Sequence, residues 1–499
     1  MNERKIGILL SYANILLHAV LGFIYVPILL HYIGKSEYGL YQLMGSLIAY
    51  FSVMDFGLSA TVIRFYTKYK VLKDHRGMEN ILAVSLRCYW LVMVAALLIG
   101  GVCYCFLGDA FGNSMTAAEV GEAKQIFLLL LLNIIITLGT MVFRSVINAH
   151  EKFLFLKGME TIQLVLQPVL VVLLLMQQPS AFSVALVQTG LNLVLSLTRM
   201  YYCFHTLHVT IRFHYWNREL FQEFRHLALS VFAVTVIDQV FWKTNQIILG
   251  VISGTDAVAV YSISSLIYMN YMALSIAISG VYLPHVTEMI ARKEPVSHLS
   301  MLFIKIGRWQ YYLLGLVATG FIIFGREFIH MWAGDGFEEA YGITLLIILP
   351  FTIDLIQNIG NSILQAKNCY DFRAKVLFVS GVFSLGFAIP LGIRFGGTGC
   401  AFATGLSMLL GNGLVMNWFY ARRIHLAIGE FWRQIGRISL VVLGCFVLGY
   451  GMNVWVSASG FLLFACKVVL YTLVYSFLIY QLAMTAEERT KLAGVLRRK

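Results

Sequence analysis

Apolar stretches recur along the whole chain and are separated by short polar intervals. A helix of about 20 apolar residues crosses the hydrocarbon core of a bilayer, so each stretch predicts a transmembrane helix. The longest polar interval, 204–225, is too short for a soluble domain. The predicted helices cover 6–30, 40–63, 81–107, 124–148, 160–177, 181–203, 226–252, 257–283, 302–324, 341–364, 374–393, 398–420, 437–455 and 460–484. The pattern predicts an all-α integral membrane protein with about 14 transmembrane helices.

Composition agrees with this class and the charges orient the chain. Hydrophobic residues make up 59% and charged residues 12%, whereas soluble proteins contain about 25% charged residues. Thirty of the 37 Lys and Arg residues lie near the N-terminus, in alternate loops and near the C-terminus. Cations mark the cytoplasmic loops of membrane proteins, so both termini are expected in the cytoplasm. The net charge of +12 then faces membrane lipids, and we expect no nucleic-acid partner.

The chain aligns with itself at an offset near 220 residues. Residues 58–73 align with 278–293, and residues 145–155 align with 362–372 at an offset of 217. Gly34 also aligns with Gly254. Because one repeat contains six predicted helices, an even number, both copies face the same way. We expect two six-helix bundles related by an axis along the membrane normal, as in transporters that rock around a central site.

The repeat predicts four segments. The N-terminal bundle covers 1–205 and the C-terminal bundle covers 226–422, while 423–499 adds helices 13 and 14 and a basic cytoplasmic tail. The intervening segment, 206–225, has apolar residues at three- and four-residue spacing with charges opposite. It predicts an amphipathic linker helix on the cytoplasmic face.

A motif near the N-terminus resembles a known family. Residues 25–69 read YVPILLHYIGKSEYGLYQLMGSLIAYFSVMDFGLSATVIRFYTKY. They are similar to the signature of bacterial polysaccharide exporters, the O-antigen-type flippases of the multidrug/oligosaccharidyl-lipid/polysaccharide (MOP) superfamily. The matching residues are Pro27, Gly34, Tyr38, Gly39, Tyr41, Asp55, Phe56, Gly57, Leu58, Ser59 and Arg64. Residues 365–372 and 396–404 resemble later parts of the family, so the likeness spans residues 1 to about 425.

The resemblance implies a function. The chain is expected to flip an oligosaccharide carried on polyprenyl diphosphate from the cytoplasmic to the outer leaflet of the bacterial inner membrane. Such transport serves lipopolysaccharide and other surface polysaccharides, and it implies polymerase and other assembly proteins as candidate partners. The flippases are not enzymes. We expect no metal and no cofactor beyond a coupling proton or sodium ion.

Charged residues inside the predicted helices are candidates for binding substrate or a coupling ion, because charged groups persist in membranes mainly in pairs or beside water-filled cavities. Lys243 is the strongest candidate for a diphosphate ligand, since an ammonium group binds phosphate as a point charge. His18, Arg87 and Arg64 are further candidates for substrate contact. Arg87, like Lys467, alternatively extends its charged end to the membrane surface.

The acidic residues divide into two groups. Asp238 aligns with His18 at the offset of 220, so the two residues are expected at the same depth, near the midplane of the membrane. Because the first helices of the two bundles would face each other, both side chains are expected to face one cavity. Asp238 and Asp354 are expected to bind the coupling proton or sodium ion. Asp55, with Gly57 and Pro27, is interpreted as a structural and gating element. Asp55 either caps backbone N–H groups at an irregularity of the helix or contacts a ligand or cation.

Two other functions compete with the flippase. A drug/cation antiporter of the same superfamily has a similar pattern, but those proteins typically have twelve helices. A membrane glycosyltransferase or polymerase needs a large outer loop with catalytic acids or bases, and the loops 108–123 and 325–340 are short and carry no such pairs. The chain also has no Walker-type glycine loop and no HExxH motif, so ATP-driven transport by this chain alone is not indicated.

Overall fold

The computed structural model describes residues 3–215, 218–455 and 460–497. These residues form helices and turns, with no strand among them. The α-helices are α1 (Glu3–Ala49), α2 (Leu58–Val71), α3 (His75–Phe111), α4 (Ala117–Ala149), α5 (Phe153–Leu175), α6 (Ala181–His205), α7 (Arg218–Ser279), α8 (Leu283–Ala291), α9 (Val296–Ala333), α10 (Glu339–Leu355), α11 (Ile359–Ala366), α12 (Tyr370–Met408), α13 (Met416–Arg422), α14 (Ile428–Trp455), α15 (Phe461–Leu478) and α16 (Ala486–Arg497). The predicted all-α membrane class is confirmed.

Three of the long helices are interrupted at a glycine with positive φ. The glycines are Gly34 in α1 (φ 75°), Gly254 in α7 (φ 80°) and Gly396 in α12 (φ 58°). Beyond Gly254 the chain turns back, since Gln246 Nε2 donates to the Ser262 hydroxyl at 3.0 Å. Sixteen residues of straight helix would hold these side chains about 24 Å apart. Glycine suits such a reversal because it adopts positive φ without steric cost.

The described residues contain ten helices that are long and apolar enough to cross a membrane, and eleven if the bent pair α10 and α11 is counted as one span. The axes of that pair differ by 47°. The protein is therefore a multi-pass membrane protein. The total of fourteen crossings stays a prediction.

Two compact units divide the chain, Met1–Ser262 and Ile263–Lys499. In the first unit, α4 packs against α1, α3 and α6, and α5 packs against α1 and α6. In the second unit, α9 packs against α10, α14 and α15, and α10 packs against α12. The division of the chain by repeat, into 1–205 and 226–422, stays a prediction.

Backbone turns recur at the offsets of the sequence repeat. Four pairs of residues with positive φ are separated by 220 or 217 positions, and each pair has similar values. They are Gly34 and Gly254 (75° and 80°), Lys73 and Lys293 (55° and 54°), Glu151 and Asn368 (57° and 54°), and His208 and His425 (49° and 62°). The two copies of the repeat therefore turn at equivalent residues.

The predicted linker 206–225 is helical only in its later part. Residues 208–215 have no regular structure, because Asn80 Oδ1 accepts from the His214 backbone N–H at 2.9 Å and Asn80 Nδ2 donates to the Tyr215 carbonyl at 2.9 Å. These bonds hold the segment against the start of α3. Residues 216 and 217 lie outside the described residues, and α7 begins at Arg218.

Candidate functional site

A cavity of about 280 Å³ lies inside the first unit, between α1, α4, α6 and α7. Its lining combines apolar side chains with amides, hydroxyls and a lysine. The lining residues are Tyr41, Gln42, Gly45, Ile48, Ala49, Ser52, Leu130, Asn133, Ile134, Thr137, Gln188 and Lys243. The cavity thus contains Lys243, the residue predicted to hold the diphosphate.

Lys243 is half-buried on α7. No carboxylate among the described residues of the first unit forms an ion pair with it. A desolvated ammonium group without a counter-ion is unfavourable, so the site favours a ligand that brings negative charge. Phosphate oxygens meet that requirement.

Two amide side chains in the lining have their orientation fixed by neighbours. Asn192 Nδ2 donates to the Asn133 backbone carbonyl (3.3 Å), to Asn133 Oδ1 and to Thr137 Oγ1 (2.8 Å). The Tyr41 hydroxyl donates to Gln188 Oε1 at 2.5 Å. Both amide oxygens are thereby occupied, and the amide nitrogens have no partner in the described part of the chain. With Lys243 they make the cavity rich in donors, which suits phosphate and sugar oxygens.

Asp55 lies at the end of a short 3₁₀ turn (Tyr50–Asp55) that interrupts the chain between α1 and α2. Its carboxylate accepts from the Tyr89 hydroxyl at 2.5 Å and the Ser59 hydroxyl at 2.8 Å. Gly57, at the start of α2, has no side-chain cap. Of the two alternatives for Asp55, the irregularity of the helix is present, but the carboxylate binds hydroxyls of α2 and α3 rather than backbone N–H groups.

The other residues expected in gating also lie in the first unit. Gly57 follows Asp55 and takes a left-handed conformation (φ 69°), as does Phe56 (φ 48°). Pro27 lies inside α1, before the interruption at Gly34. A gating role for these residues stays a prediction.

His18 and Asp238 are both exposed. The Trp242 indole N–H donates to the Asp238 carboxylate at 3.2 Å, and within the described residues His18 makes no hydrogen bond. The structure therefore shows no bond between the two. Their predicted place in one shared cavity stays a prediction.

Asp354 lies near the end of α10, in the second unit, and forms an ion pair with Arg373 of α12 (3.6 Å). Arg373 is buried. Sequence reasoning counted Arg373 only among the cytoplasmic cations and missed this pair. A single ion site formed by Asp238 and Asp354 stays a prediction.

The remaining cations have aromatic or acidic neighbours. The Arg87 guanidinium lies 3.8 Å from the centre of the Phe213 ring, and that of Arg64 lies 5.6 Å from the Phe65 ring. Both arginines are exposed. Lys467 is buried and contacts Glu327 at 3.1 Å, and the alternative in which it extends to the membrane surface stays a prediction. Across the described residues, no group of His, Cys, Asp and Glu could hold a metal ion.

Solved structures share this fold. The lipid II flippase MurJ, in an inward closed conformation, superposes with a TM-score of 0.73 at 15% identity, over 95% of this chain and 99% of that chain. An inward-facing multidrug resistance transporter of the MATE family, in the MOP superfamily, gives 0.63 at 14% identity, over 83% and 96%. A MOP superfamily transporter from Pyrococcus furiosus gives 0.56 at 12% identity, over 86% and 97%. The fold is that of MurJ and the MATE transporters.

The sequence assigns the family. Residues 5–290 match the family model described as polysaccharide biosynthesis protein, and the chain belongs to this family. No curated protein matches the chain in sequence. The resemblance stated from residues 25–69 is confirmed.

Proposed function

We propose that this protein flips polyprenyl-diphosphate-linked oligosaccharide from the cytoplasmic to the outer leaflet of the bacterial inner membrane. The family supports a role in polysaccharide biosynthesis, and the fold supports transport by alternating access. The cargo is an oligosaccharide of the O-antigen type, destined for lipopolysaccharide or related surface polymers. A polymerase and other assembly proteins act on the product.

The donor-rich cavity around Lys243 carries this proposal. The lysine, without a carboxylate partner among the described residues of the first unit, complements a diphosphate, and the amide N–H groups complement sugar oxygens. A drug/cation antiporter needs acidic groups for a cationic cargo, and none of the described residues that line this cavity is acidic. The chemistry of the cavity therefore favours an anionic cargo and a transporter over an enzyme.

Replacement of Lys243 tests the proposal. Lys243→Ala should abolish flipping of a lipid-linked oligosaccharide in proteoliposomes while the protein stays abundant in the membrane. Lys243→Arg should keep part of the activity, because the charge is retained but the geometry changes. Lys375→Ala, which removes an exposed lysine of α12, serves as the control and should flip normally. Full activity of Lys243→Ala would show that the lysine does not hold the cargo.

Energy coupling is assigned to Asp238 and Asp354. A driving ion shifts the equilibrium between two states only by its different affinity for each, and an ionisable carboxylate provides such a difference. Asp238→Asn or Asp354→Asn should make flipping insensitive to an imposed proton or sodium gradient. Since Asp354 pairs with buried Arg373, thermal unfolding must be measured alongside. If both folded variants respond to the gradient as the unaltered protein does, these carboxylates have no part in coupling.

A further inference from the structure

Polar side chains form a stripe on each of two packed helices of the first unit. The stripe on α4 consists of Asn133, Thr137, Thr140 and Arg144. The stripe on α6 consists of Gln188, Asn192, Ser196 and Arg199. Spacings of three and four residues place each set on one helix face. Both helices are otherwise strongly apolar, so the polar faces need a reason.

Hydrogen bonds join the middle of the two stripes. Thr140 Oγ1 donates to Ser196 Oγ at 3.1 Å, and Asn192 Nδ2 donates to Thr137 Oγ1 at 2.8 Å. Such hydrogen bonds commonly stabilise the packing of transmembrane helices. The two ends differ from the middle. One end opens into the Lys243 cavity, and the other carries arginines.

The arginine end is a cluster of three cations around one carboxylate. Arg144 Nη2 contacts Glu160 Oε1 at 2.8 Å, and Lys157 Nζ contacts Glu160 Oε2 at 2.7 Å. Arg199, on the same stripe of α6 as Ser196, interacts electrostatically with Arg144 and Glu160. The cluster therefore keeps an excess of positive charge after Glu160 is counted.

The three cations lie at one depth. Arg144, Lys157 and Arg199 are each four to six residues from the nearby end of α4, α5 or α6. At 1.5 Å per residue this is about 6–9 Å into each helix. It is the end of the bundle that the charge distribution assigns to the cytoplasm.

Cations at this depth usually serve only as topology anchors, and Arg199 departs from that role. Its Nε is buried and has no hydrogen-bond partner among the described residues. A buried donor left unpaired costs about 1–3 kcal/mol, and more when it is charged. The guanidinium donors match phosphate oxygens, and basic pockets between transmembrane helices on the cytoplasmic side bind lipid headgroups.

We propose that Arg144, Lys157 and Arg199 form a binding site for a lipid-borne phosphate group at the cytoplasmic end of the first unit. The stripes on α4 and α6 connect this site to the Lys243 cavity. The phosphate belongs either to the polyprenyl diphosphate of the cargo, which would load here first, or to an anionic membrane lipid. The first source rests on the proposed function.

Binding to the purified full-length protein tests the site with two probes. Native mass spectrometry in detergent would measure the affinity for a polyprenyl diphosphate and for phosphatidylglycerol. Arg199→Gln and, independently, Lys157→Gln should weaken binding of at least one probe about tenfold, and the probe that is affected identifies the source. Arg76→Gln, which removes an exposed arginine at the same end, should bind both as the unaltered protein does. If Arg199→Gln and Lys157→Gln also bind both probes normally, the cluster is only a topology anchor.

Transport separates this inference from the proposed function. If Lys243→Ala stops flipping while the cluster variants bind and flip normally, the phosphate site is disproved and the flippase stands. If the unaltered protein flips no lipid-linked oligosaccharide but the cluster variants lose a phosphate-bearing lipid, the flippase is disproved and the site stands.

Discussion

Equivalent positions of the two repeats use different chemistry. At the offset of 220, Asp55 corresponds to Ser275 and Ser59 corresponds to Ser279. In the first copy, the carboxylate of Asp55 accepts hydrogen bonds from the hydroxyls of Ser59 and of Tyr89 in α3. This contact is partly exposed and carries a charge.

In the second copy the same place is neutral and buried. Gln310 Nε2 donates to the Ser275 carbonyl and hydroxyl at 3.2 and 3.1 Å, and the Ser275 hydroxyl donates to the Leu355 carbonyl at 2.8 Å. Asn358 Nδ2 donates to Ser279 at 2.9 Å. The partner helices correspond too, since Tyr89 and Gln310 each lie fourteen residues after the first residue of α3 and of α9.

The difference shows what the duplication kept and what it changed. Both copies fasten the second helix of the repeat to the third at one point, so the geometry is shared. Only the first copy does so with an ionisable group, next to the left-handed residues Phe56 and Gly57. We infer that in the second copy the contact between the second and third helices of the repeat is a fixed joint. In the first copy, the corresponding joint can respond to a change of charge.

The largest effect is expected from Ser275→Asp, which would make the second copy resemble the first. A carboxylate here would face the Leu355 carbonyl, and none of the hydrogen-bond partners that the structure gives Ser275 (Gln310, Leu355 and Asn358) carries a positive charge. A buried charge without compensation costs about 3–5 kcal/mol. The variant should be poorly folded, with a much lower midpoint of thermal unfolding in detergent.

An exposed serine of the first copy provides the matched control for this substitution. Ser52 lies in the 3₁₀ turn before Asp55, and its side chain is exposed. Ser52→Asp therefore inserts the same carboxylate without burying it, in a cavity that also contains Lys243, so the midpoint of thermal unfolding should not fall. An unchanged midpoint for Ser275→Asp as well would show that the joint of the second copy, formed by Ser275, Gln310 and the Leu355 carbonyl, is not a closed neutral network.

A smaller effect is expected from Tyr89→Phe, compared with Tyr271→Phe. The Tyr89 hydroxyl donates to a carboxylate, and hydrogen bonds to charged groups contribute about 1.5–3 kcal/mol. The Tyr271 hydroxyl in the second unit has two neutral partners, Thr352 at 2.6 Å and, at a long 3.3 Å, the Leu314 carbonyl. A neutral hydrogen bond contributes about 0.5–1.5 kcal/mol, and less when it is long. The midpoint of thermal unfolding should therefore fall further for Tyr89→Phe. Equal shifts would mean that the charge of Asp55 adds nothing to this joint.

Much of the fold was predictable because it depends on hydrophobic length and on glycine. The apolar runs located the helices, and the alignment of Gly34 with Gly254 marked two interruptions that the structure shows at similar φ. An irregularity of the second predicted helix was one of the two interpretations of Asp55, but its extent was harder to predict. Nothing in the periodicity of 40–63 distinguishes a 3₁₀ turn at 50–55 from continuous helix.

The composition of the Lys243 cavity was predictable only in part, because contacts between segments distant in sequence determine which residues line it. Lys243 was found as a charge inside an apolar run. The amides at 133 and 188 were missed, since their exposure to one cavity requires α4 and α6 to be placed. The spacing of polar residues in the predicted helices 124–148 and 181–203 could have indicated both stripes, since polar residues three and four positions apart lie on one helix face. Arg199 was instead counted only as a cytoplasmic cation.

The smallest effect is expected from Ser59→Ala, measured beside Ser279→Ala. Ser59 loses one hydrogen bond to a half-exposed carboxylate that keeps Tyr89 as a partner. Because water can take the place of the lost hydroxyl, the loss should lie below the usual range for a charged hydrogen bond, at about 1 kcal/mol. Ser279 is buried and accepts a hydrogen bond from half-buried Asn358, so its removal leaves that amide with fewer acceptors and should cost about 1–3 kcal/mol. The midpoint of thermal unfolding should fall less for Ser59→Ala. Because the first joint keeps its charged contact, it should tolerate this loss, whereas the neutral network depends on all its members. A larger fall for Ser59→Ala would reverse the assignment of the fixed and the responsive joint.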